Sequence, residues 1–319
     1  MKVTVIGAGR WGSLIAWYLN RQNQTVTLYG RASSEKMQRI LKERRNDLLE
    51  FPEEIKLTTE LASVKEAEVI VISINSQGLY ELMEELAPYE LENKVFVLCM
   101  KGIDIKSGKR LSQIASENTS PTNKVAVWLG PGHVQEFLKG VPNCMVIDSI
   151  DFDVKKRLVD EFSGSLIRFY YGTDLIGNEI GAAAKNVIGI AAGMLDAMEL
   201  SSLKGALMSR GTREVSRLIK AMGGNELSAY GLCHLGDYEA TVFSPHSHNR
   251  AFGEAFVRGE EYDSLAEGYY TVKALVRMGK EAGVELPISE AVYKVLYESA
   301  DVKKTINGLF ERSVTLEFL

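Results

Sequence analysis

Residues 2–16 read KVTVIGAGRWGSLIA, and this stretch decides the fold of the first half of the chain. A β-branched run leads directly into Gly7, Gly9 and Gly12 in GxGxxG spacing, and an apolar helical pattern follows. In this strand–turn–helix setting the first glycine makes the tight turn, the second lets backbone approach a pyrophosphate, and the third allows close helix–strand packing. Free N–H groups at the start of the helix then bind the phosphates. The stretch predicts a dinucleotide-binding site.

Beyond this turn, short apolar runs alternate with helical patterns. The continuous apolar character of the runs is typical of parallel strands covered by helices on both faces. The predicted strands occupy residues 2–6, 25–29, 67–74, 94–99, 124–129, 144–147 and 165–171. Helical patterns between them include residues 77–86 and 106–116. This alternation is typical of βαβ units.

After the last predicted strand the pattern becomes helical throughout. The predicted helices occupy residues 174–200, 203–222, 249–258, 264–282 and 287–299. We therefore predict an α/β protein with a domain boundary near Gly172. Residues 1–172 would form a Rossmann-type, doubly wound dinucleotide-binding domain, and residues 173–319 an all-α substrate domain.

Composition argues against a protein that binds nucleic acids or anionic membranes. The chain of 319 residues is 45% hydrophobic and 25% charged with a formal net charge of −5, which gives no support for a nucleic-acid or anionic-membrane surface. Its three cysteines, Cys99, Cys144 and Cys233, are far apart and lack zinc-site spacing, as expected of reduced thiols.

The first strand begins at Lys2, which leaves no room for a signal peptide, and the apolar run at 69–74 is too short to span a bilayer. We expect a cytoplasmic protein.

The end of the second strand bears on the choice of cofactor. An NAD-selective site normally has an acid there to accept a hydrogen bond from the ribose 2′-OH. This chain reads LYGRASS at 28–34, with no acid before Glu35. Arg31 can pair with a 2′-phosphate, and Ser33 or Ser34 can donate to it, whereas the alternative is an arginine in a surface loop. NADP is favoured over NAD.

One lysine stands out in the second half. In NEIGAAAKNVIGIAAG at 178–193, Lys185 is the one ionisable residue between Ile180 and Leu195. Burying an unpaired ammonium is costly, so either the side chain reaches the surface along its own stem or the amine faces a cleft as an acid, a base or an anion clamp. Residue type alone leaves both interpretations open.

Several motifs together resemble one family. VIGAGRWGSLIA, CMKGID, GPGHVQE, NEIGAAAKNVIGIAAG, GDYEAT…SPHSHNRAFG and AEGYYTVKAL…AGVELPI occur in the order expected of NAD(P)-dependent glycerol-3-phosphate dehydrogenases, from residue 3 to about 288. The resemblance implies interconversion of dihydroxyacetone phosphate and sn-glycerol 3-phosphate, which supplies the backbone of membrane phospholipids. We also expect a homodimer.

The resemblance implies roles for individual residues. Lys185 would stabilise the charge that grows on the C2 oxygen and deliver the proton, with its pKa lowered by burial and by Lys101 and its amine oriented by Asp237. Lys101 would lie at the carboxyl end of the sheet, and Gly181 and Ala184 would leave room for substrate. The implied catalytic residues are Lys185, Lys101, Asp237 and Asn186. The implied cofactor-binding residues are Gly7, Gly9, Arg10, Trp11, Gly12, Arg31, Lys101, Val134, His248 and Glu267. The implied substrate-binding residues are Lys101, Gly130, Gly132, Lys185, Asp237, Ser247, His248, Asn249 and Arg250.

The chain departs from the family pattern in three places, one of them at His133 and Val134, which replace the small or aromatic residues usual there. Gly132 stands where the family has Ser or Thr, so a hydroxyl is missing. His248 replaces an arginine that grips the substrate phosphate, and Arg250 is the alternative phosphate ligand. These changes motivate a second hypothesis, a same-fold dehydrogenase for another 2-hydroxy or 2-keto compound. A third hypothesis is a non-catalytic NADP-binding sensor.

The histidines of the same region raise the question of a metal. His234, Asp237, His246 and His248 are close in sequence, and an HxH pair on a loop can bind zinc or iron. No thiolate has a suitable spacing from them, so loop polarity and phosphate contact are the favoured explanation. We predict no metal site.

Overall fold

The computed structural model describes residues 1–314, 316 and 317, which fall into two compact units. The first unit comprises Met1–Met100 and Leu111–Leu175, and the second comprises Lys101–Arg110 and Ile176–Leu319. The predicted single boundary near residue 172 is therefore incomplete. The chain also passes into the second unit at Lys101 and returns to the first unit at Leu111.

The first unit is built on an eight-stranded sheet. Its strands are β1 (Lys2–Ile6), β2 (Thr25–Tyr29), β3 (Lys56–Thr58), β4 (Val69–Ile72), β5 (Val95–Leu98), β6 (Lys124–Leu129), β7 (Asn143–Ser149) and β8 (Ile167–Tyr171). They lie in the order β3-β2-β1-β4-β5-β6-β7-β8. Every neighbouring pair is parallel except β6 and β7. The predicted α/β class and Rossmann-type sheet are confirmed.

Six helices belong to this unit. They are α1 (Arg10–Arg21), α2 (Glu35–Glu43), α3 (Leu79–Leu86), α4 (Leu111–Glu117), α5 (Val134–Leu138) and α6 (Phe152–Phe162). The core contains Trp128 of β6, whose ring centroid lies 4.9–6.0 Å from those of Tyr18, Phe162 and Phe169. The hydroxyl of Tyr18 donates to the carbonyl of Phe162 at 2.6 Å, so this aromatic core also satisfies its one buried phenol.

The second unit is helical. Its helices are α7 (Leu175–Ala197), α8 (Lys204–Ala221), α9 (His248–Arg258), α10 (Glu267–Ala282), α11 (Pro287–Tyr297) and α12 (Val302–Phe310). Helix α7 is buried from Gly177 to Leu195 and forms the centre of the unit. By length and composition α7 could cross a membrane, but 83% of its most apolar window is buried against the rest of the protein. It serves here as a core helix.

Some elements differ from the prediction. The edge strand β3 and the last helix α12 were not predicted. The helix expected over 106–116 begins only at Leu111, because Asp104 accepts hydrogen bonds from the backbone N–H and hydroxyl of Ser107 and holds that segment as a turn. Strand β7 runs antiparallel to β6, which the expectation of a parallel sheet did not include. A continuous apolar run carries no information on strand direction.

We expect the replacement of Phe162 by Ala to destabilise the first unit. Phe162 is fully buried against Trp128, so its truncation leaves a cavity that costs about 3–5 kcal/mol of unfolding free energy. All three tryptophans, Trp11, Trp17 and Trp128, lie in this unit, so urea unfolding followed by tryptophan fluorescence reports it selectively.

Phe152→Ala is the matched control, because Phe152 lies on the same helix and is 60% exposed. Its expected effect is below about 1 kcal/mol. Equal effects of the two substitutions would show that the aromatic core around Trp128 does not stabilise the unit.

Candidate active site

The glycine turn of the first unit forms an open cradle. Gly7 has a φ of +113°, and a Cβ there would lie 2.1 Å from the carbonyl oxygen of Ser73. A Cβ on Gly12 would lie 1.9 Å from the carbonyl oxygen of Gly7. A Cβ on Gly9 would meet nothing within 4 Å, so the protein's own packing does not require a glycine there. Gly9 also precedes α1 without a side-chain cap, which leaves N–H groups available to a pyrophosphate.

A cavity of about 280 Å³ lies beside this cradle. Arg31 lines it and pairs with Glu85 at 3.0 Å and Glu81 at 3.2 Å. Ser34 lines it too, but its hydroxyl caps α2 by accepting from the N–H of Met37. Lys36 is a second cation of the cavity that the sequence analysis missed, because nothing distinguishes it from a surface lysine.

Other residues predicted for the first unit are placed as follows. Trp11 packs its ring 6.0 Å from that of Phe137. The side chain of Val134 is buried in the hydrophobic core, so a contact of this residue with a cofactor, which stays a prediction, would be made by its backbone. Gly132 has a φ of +146°, and a Cβ there would lie 2.3 Å from the ring of Phe137. The Ser or Thr of the family pattern would therefore collide with Phe137 in this conformation.

The four predicted catalytic residues come together in the second unit. The Nζ of Lys101 lies 2.7 Å and that of Lys185 2.9 Å from the same oxygen, Oδ2 of Asp237. Asp237 is buried, Lys185 is 8% exposed, and the Lys101 side chain is 20% exposed. Lys185 therefore faces a buried carboxylate, and the interpretation that its amine reaches the surface is wrong.

Two contacts with α7 hold Lys101 in place. The side-chain amide of Asn186 donates to the carbonyl of Lys101 at 2.8 Å. Arg110, at the far end of the same segment, pairs with the buried Glu179 at 2.5 Å. Helix α7 thus binds both ends of residues 101–110, which explains why this segment belongs to the second unit.

Asn186 also begins a chain of amide contacts. Its Oδ1 accepts from the side-chain amide of Asn249 at 3.0 Å, and Oδ1 of Asn249 accepts from the N–H of Gly268 at 2.8 Å. Glu267, a predicted cofactor ligand, is the residue before Gly268 at the start of α10. The chain connects α7, α9 and the start of α10, so Asn186 positions these elements around Lys101.

Sequence analysis missed one further residue of the site, Thr241, and considered another, His234, only as a possible metal ligand. Thr241 is buried and accepts a hydrogen bond from the Nζ of Lys185 at 2.8 Å. It lies in a π-helical turn at Glu239–Phe243, a type of turn that is frequent at functional sites. His234 lies between the carbonyl of Gly181 and the hydroxyl of Tyr238, at 2.8 and 2.7 Å.

The position of His234 corrects one expectation. A Cβ on Gly181 would lie 3.0 Å from the Cβ of His234, so the space beside this glycine is filled by protein and not by substrate. Sequence pattern did not reveal Thr241 or the contact of His234 with α7, because both contacts depend on tertiary packing.

The electrostatics of the cluster suit proton transfer. Burial lowers the pKa of Lys185 to about 8; Lys101 lowers it as well, whereas Asp237 acts in the opposite direction. Two ammonium groups share one carboxylate, so the cluster can stabilise an additional negative charge. Asp237 Oδ1 is buried and makes no hydrogen bond within the described residues. The cluster therefore has an acceptor and surplus positive charge for a small polar ligand.

The predicted phosphate loop lies at the start of α9. Ser247 caps this helix by accepting from the N–H of Arg250. His248 is exposed, and its Nδ1 lies 2.8 Å from the hydroxyl of Tyr262. Arg250 pairs with Asp196 at 2.8 Å and donates to the carbonyl of Ser244. These contacts direct Arg250 away from the role of an alternative phosphate ligand.

The histidines of this region do not converge. His234 is buried against α7, whereas His248 is exposed beside Tyr262. Within the described residues, no three or more His, Cys, Asp and Glu side chains are arranged to hold a metal ion.

Comparisons with known proteins bear on both units. Residues 2–154 match the family model for the N-terminus, and residues 174–307 that for the C-terminus, of NAD-dependent glycerol-3-phosphate dehydrogenase. The chain belongs to this family. It is 36% identical to glycerol-3-phosphate dehydrogenase [NAD(P)+] of Prosthecochloris aestuarii, with 98% of each chain covered, and 35% identical to that of Agrobacterium fabrum, with 99% of each covered. A crystal structure of the Coxiella burnetii glycerol-3-phosphate dehydrogenase is similar with a TM-score of 0.90 and 27% identity, covering 98% of this chain and 99% of that one.

The predicted resemblance to the glycerol-3-phosphate dehydrogenase family is confirmed. So is the prediction of an oxidoreductase that uses NADP or NAD. The comparisons do not favour the alternatives, a dehydrogenase for another 2-keto compound or a non-catalytic sensor.

The open cradle yields a prediction for Gly9. A methyl group at this position fits the protein but fills space that a pyrophosphate needs, so Gly9→Ala should lower NADPH affinity about tenfold or more without changing the melting temperature. Fluorescence titration with NADPH and differential scanning calorimetry measure the two effects. Gly205→Ala is the matched control, because a Cβ there also meets nothing within 4 Å. Unchanged NADPH affinity in Gly9→Ala would contradict the cradle.

Proposed function

We propose that this chain interconverts sn-glycerol 3-phosphate and dihydroxyacetone phosphate with NADP or NAD at the cluster of Lys101, Lys185 and Asp237. The observation that carries the proposal is the pair of ammonium groups on one buried carboxylate oxygen, at 2.7 and 2.9 Å. A carbonyl that gains charge during reduction needs this surplus of positive charge. The name of the relatives supplies the substrate.

Each residue of the cluster has a distinct role in the proposal. A bound nicotinamide supplies or accepts the hydride. Lys185 donates a proton to the C2 oxygen during ketone reduction and accepts it during alcohol oxidation. Lys101 stabilises the charge on that oxygen, while Asp237 and Thr241 hold the amine of Lys185 in position. Asn186 fixes Lys101 through its backbone carbonyl.

The phosphate end of the substrate is assigned to the start of α9. Ser247 caps the helix, and the N–H groups of His248 and Asn249 belong to its first turn, where an anion is favoured. His248 adds positive charge only when protonated. The pair of Arg250 with Asp196 supports a structural role for this arginine in place of phosphate binding.

Three further points extend the proposal. NADPH is preferred, since Arg31 and Lys36 line the cavity beside the glycine turn, although Glu81 and Glu85 line it as well. The product would supply glycerophospholipid synthesis. A homodimer in the cytoplasm stays a prediction.

The proposed role of Lys185 has a definite pH dependence. The ammonium form exists below the pKa of about 8, so kcat/KM for ketone reduction should fall as pH rises through about 8, and kcat/KM for alcohol oxidation should rise there. Lys101→Met removes a group that lowers this pKa and should move the midpoint up. Asp237→Asn removes a group that raises it and should move the midpoint down. The absorbance of NADPH, followed as the cofactor is consumed or formed, measures the rates of ketone reduction and of alcohol oxidation at each pH.

Removal of the Lys185 amine should have a severe effect on turnover. Lys185→Ala should reduce turnover by about 10²–10⁴-fold and abolish the pH dependence, with NADPH affinity preserved. Lys220→Ala, at an exposed lysine of the same unit, is the control. A Lys185→Ala protein with one tenth of native turnover would exclude the proton-donor role.

The preference for NADPH rests on Arg31. Arg31→Ala should raise KM for NADPH about tenfold and leave KM for NADH nearly unchanged, because only NADPH carries the 2′-phosphate. Steady-state kinetics with each cofactor measure the ratio. Arg39→Ala, at an exposed arginine of α2 paired with Asp47, is the control. Equal effects on NADPH and NADH would show that Arg31 does not contact the phosphate.

A further inference from the structure

The second unit contains a cavity that the dehydrogenase chemistry does not use. Its volume is about 780 Å³, within the range of about 300–1,000 Å³ of small-molecule sites. Helices α7, α8, α11 and α12 supply most of its lining, which includes Met194, Leu207, Val292, Ile306 and Leu309. None of the residues of the Lys101–Lys185–Asp237 cluster lines it. It is a separate, largely aliphatic cavity.

Apolar side chains at this cavity are unusually exposed. Phe310, at the end of α12, lines the cavity and is 67% exposed. Val314, just beyond it, is fully exposed. Exposed apolar groups that adjoin an apolar cavity favour a ligand that covers them.

Arginines carry the charge of this cavity. Arg210, Arg217 and Arg312 line it, and the first two are seven residues apart on α8, so they share one face of that helix. Arg213 lies between them on α8. Burial lowers the pKa of Arg217 most, and Arg213 and Arg210 lower it further, whereas Glu214 and Glu285 act in the opposite direction. Like charges are therefore concentrated where the aliphatic lining meets solvent.

The nearby acids only partly offset this charge. Glu214 is buried and accepts hydrogen bonds from the N–H groups of Ile288 and Ser289 and from the Ser289 hydroxyl, so its carboxylate is committed to the start of α11. Burial raises the pKa of Glu214 to about 6. Glu285 pairs with Arg312 at 2.6 Å, but both side chains are exposed, and such pairs are weak.

Two of the three lining arginines hydrogen-bond to uncharged acceptors. Arg210 donates to the backbone carbonyl of Glu317, and Arg217 to that of Glu285. An anion can displace these contacts or the exposed pair of Arg312 at low cost and gain charge-assisted, bidentate hydrogen bonds. The arginines at the edge of the cavity suit an anionic head group, and the aliphatic lining suits the alkyl chain of the same molecule.

We propose that this cavity binds a single-chain amphiphile, with its alkyl chain along α7, α8, α11 and α12 and its anionic head on Arg210, Arg217 and Arg312. A carboxylate or a phosphate head satisfies the same chemistry. The proposal does not depend on the reaction at Lys185, although Ala191 of the lining lies on the helix that carries Lys185.

Calorimetric titration of the full chain tests the proposal with three 12-carbon probes below their micelle concentrations. Dodecanoate and dodecyl phosphate represent the two head groups and should both bind, and their affinity ratio distinguishes carboxylate from phosphate. Dodecyltrimethylammonium, with the opposite charge, should bind at least about tenfold more weakly. Equal affinity for all three probes, or no binding of either anion, would overturn the proposal.

Variants locate the site. Arg217→Gln and Arg312→Gln should each weaken dodecanoate binding about tenfold, with Arg45→Gln of the first unit as the matched control. Ala291→Phe should fill the cavity and abolish binding, whereas Ala62→Phe, at an exposed position of the first unit, should not. If Ala291→Phe does not fold, the exposed Arg312 decides the test. Dodecanoate binding that survives both arginine substitutions refutes the site. A second outcome also refutes it: the native protein is a dimer, and Arg312→Gln or Ala291→Phe converts it to a monomer that does not bind dodecanoate.

Discussion

The buried carboxylate of Asp237 is the group on which the candidate active site depends. An ammonium inside an apolar helix such as α7 is stable only with an opposite charge and hydrogen-bond acceptors within reach. Asp237 Oδ2 and Thr241 Oγ1 supply these for Lys185, at 2.9 and 2.8 Å. Removal of one partner from a buried pair typically costs about 3–5 kcal/mol, so this contact constrains the fold as well as the chemistry.

The surroundings of Asp237 follow from the small residues of α7. A Cβ on Gly189 would lie 2.8 Å from the methyl carbon of Thr241, and one on Gly193 would lie 1.9 Å from the backbone carbonyl of Arg250. The absence of side chains at these positions lets the π-helical turn and α9 approach α7 closely. Gly189 and Gly193 therefore admit the protein segments that carry Thr241, Asn249 and Arg250.

The second unit separates two kinds of positive charge. The ammonium of Lys185 is buried, that of Lys101 is half-buried, and both share one carboxylate, so a small change in ligand charge has a large effect there. At Arg210, Arg217 and Arg312 the charge lies at the edge of an aliphatic cavity and is partly exposed. The first arrangement suits proton transfer and the second suits retention of an anionic head group.

The sequence by itself determined the Rossmann-type first unit, the helical second unit and the family, and through the family resemblance it pointed to Lys101, Lys185, Asn186 and Asp237 as candidate catalytic residues. Glycine spacing, apolar periodicity and ordered motifs are local signals, so they can be recognised from the sequence alone. Only the tertiary structure decided that residues 101–110 belong to the second unit, that Thr241 and His234 contact α7, that Val134 is buried, and that Arg250 pairs with Asp196. Each of these depends on contacts between segments far apart in the chain, and neither residue type nor periodicity encodes which distant partner a side chain meets.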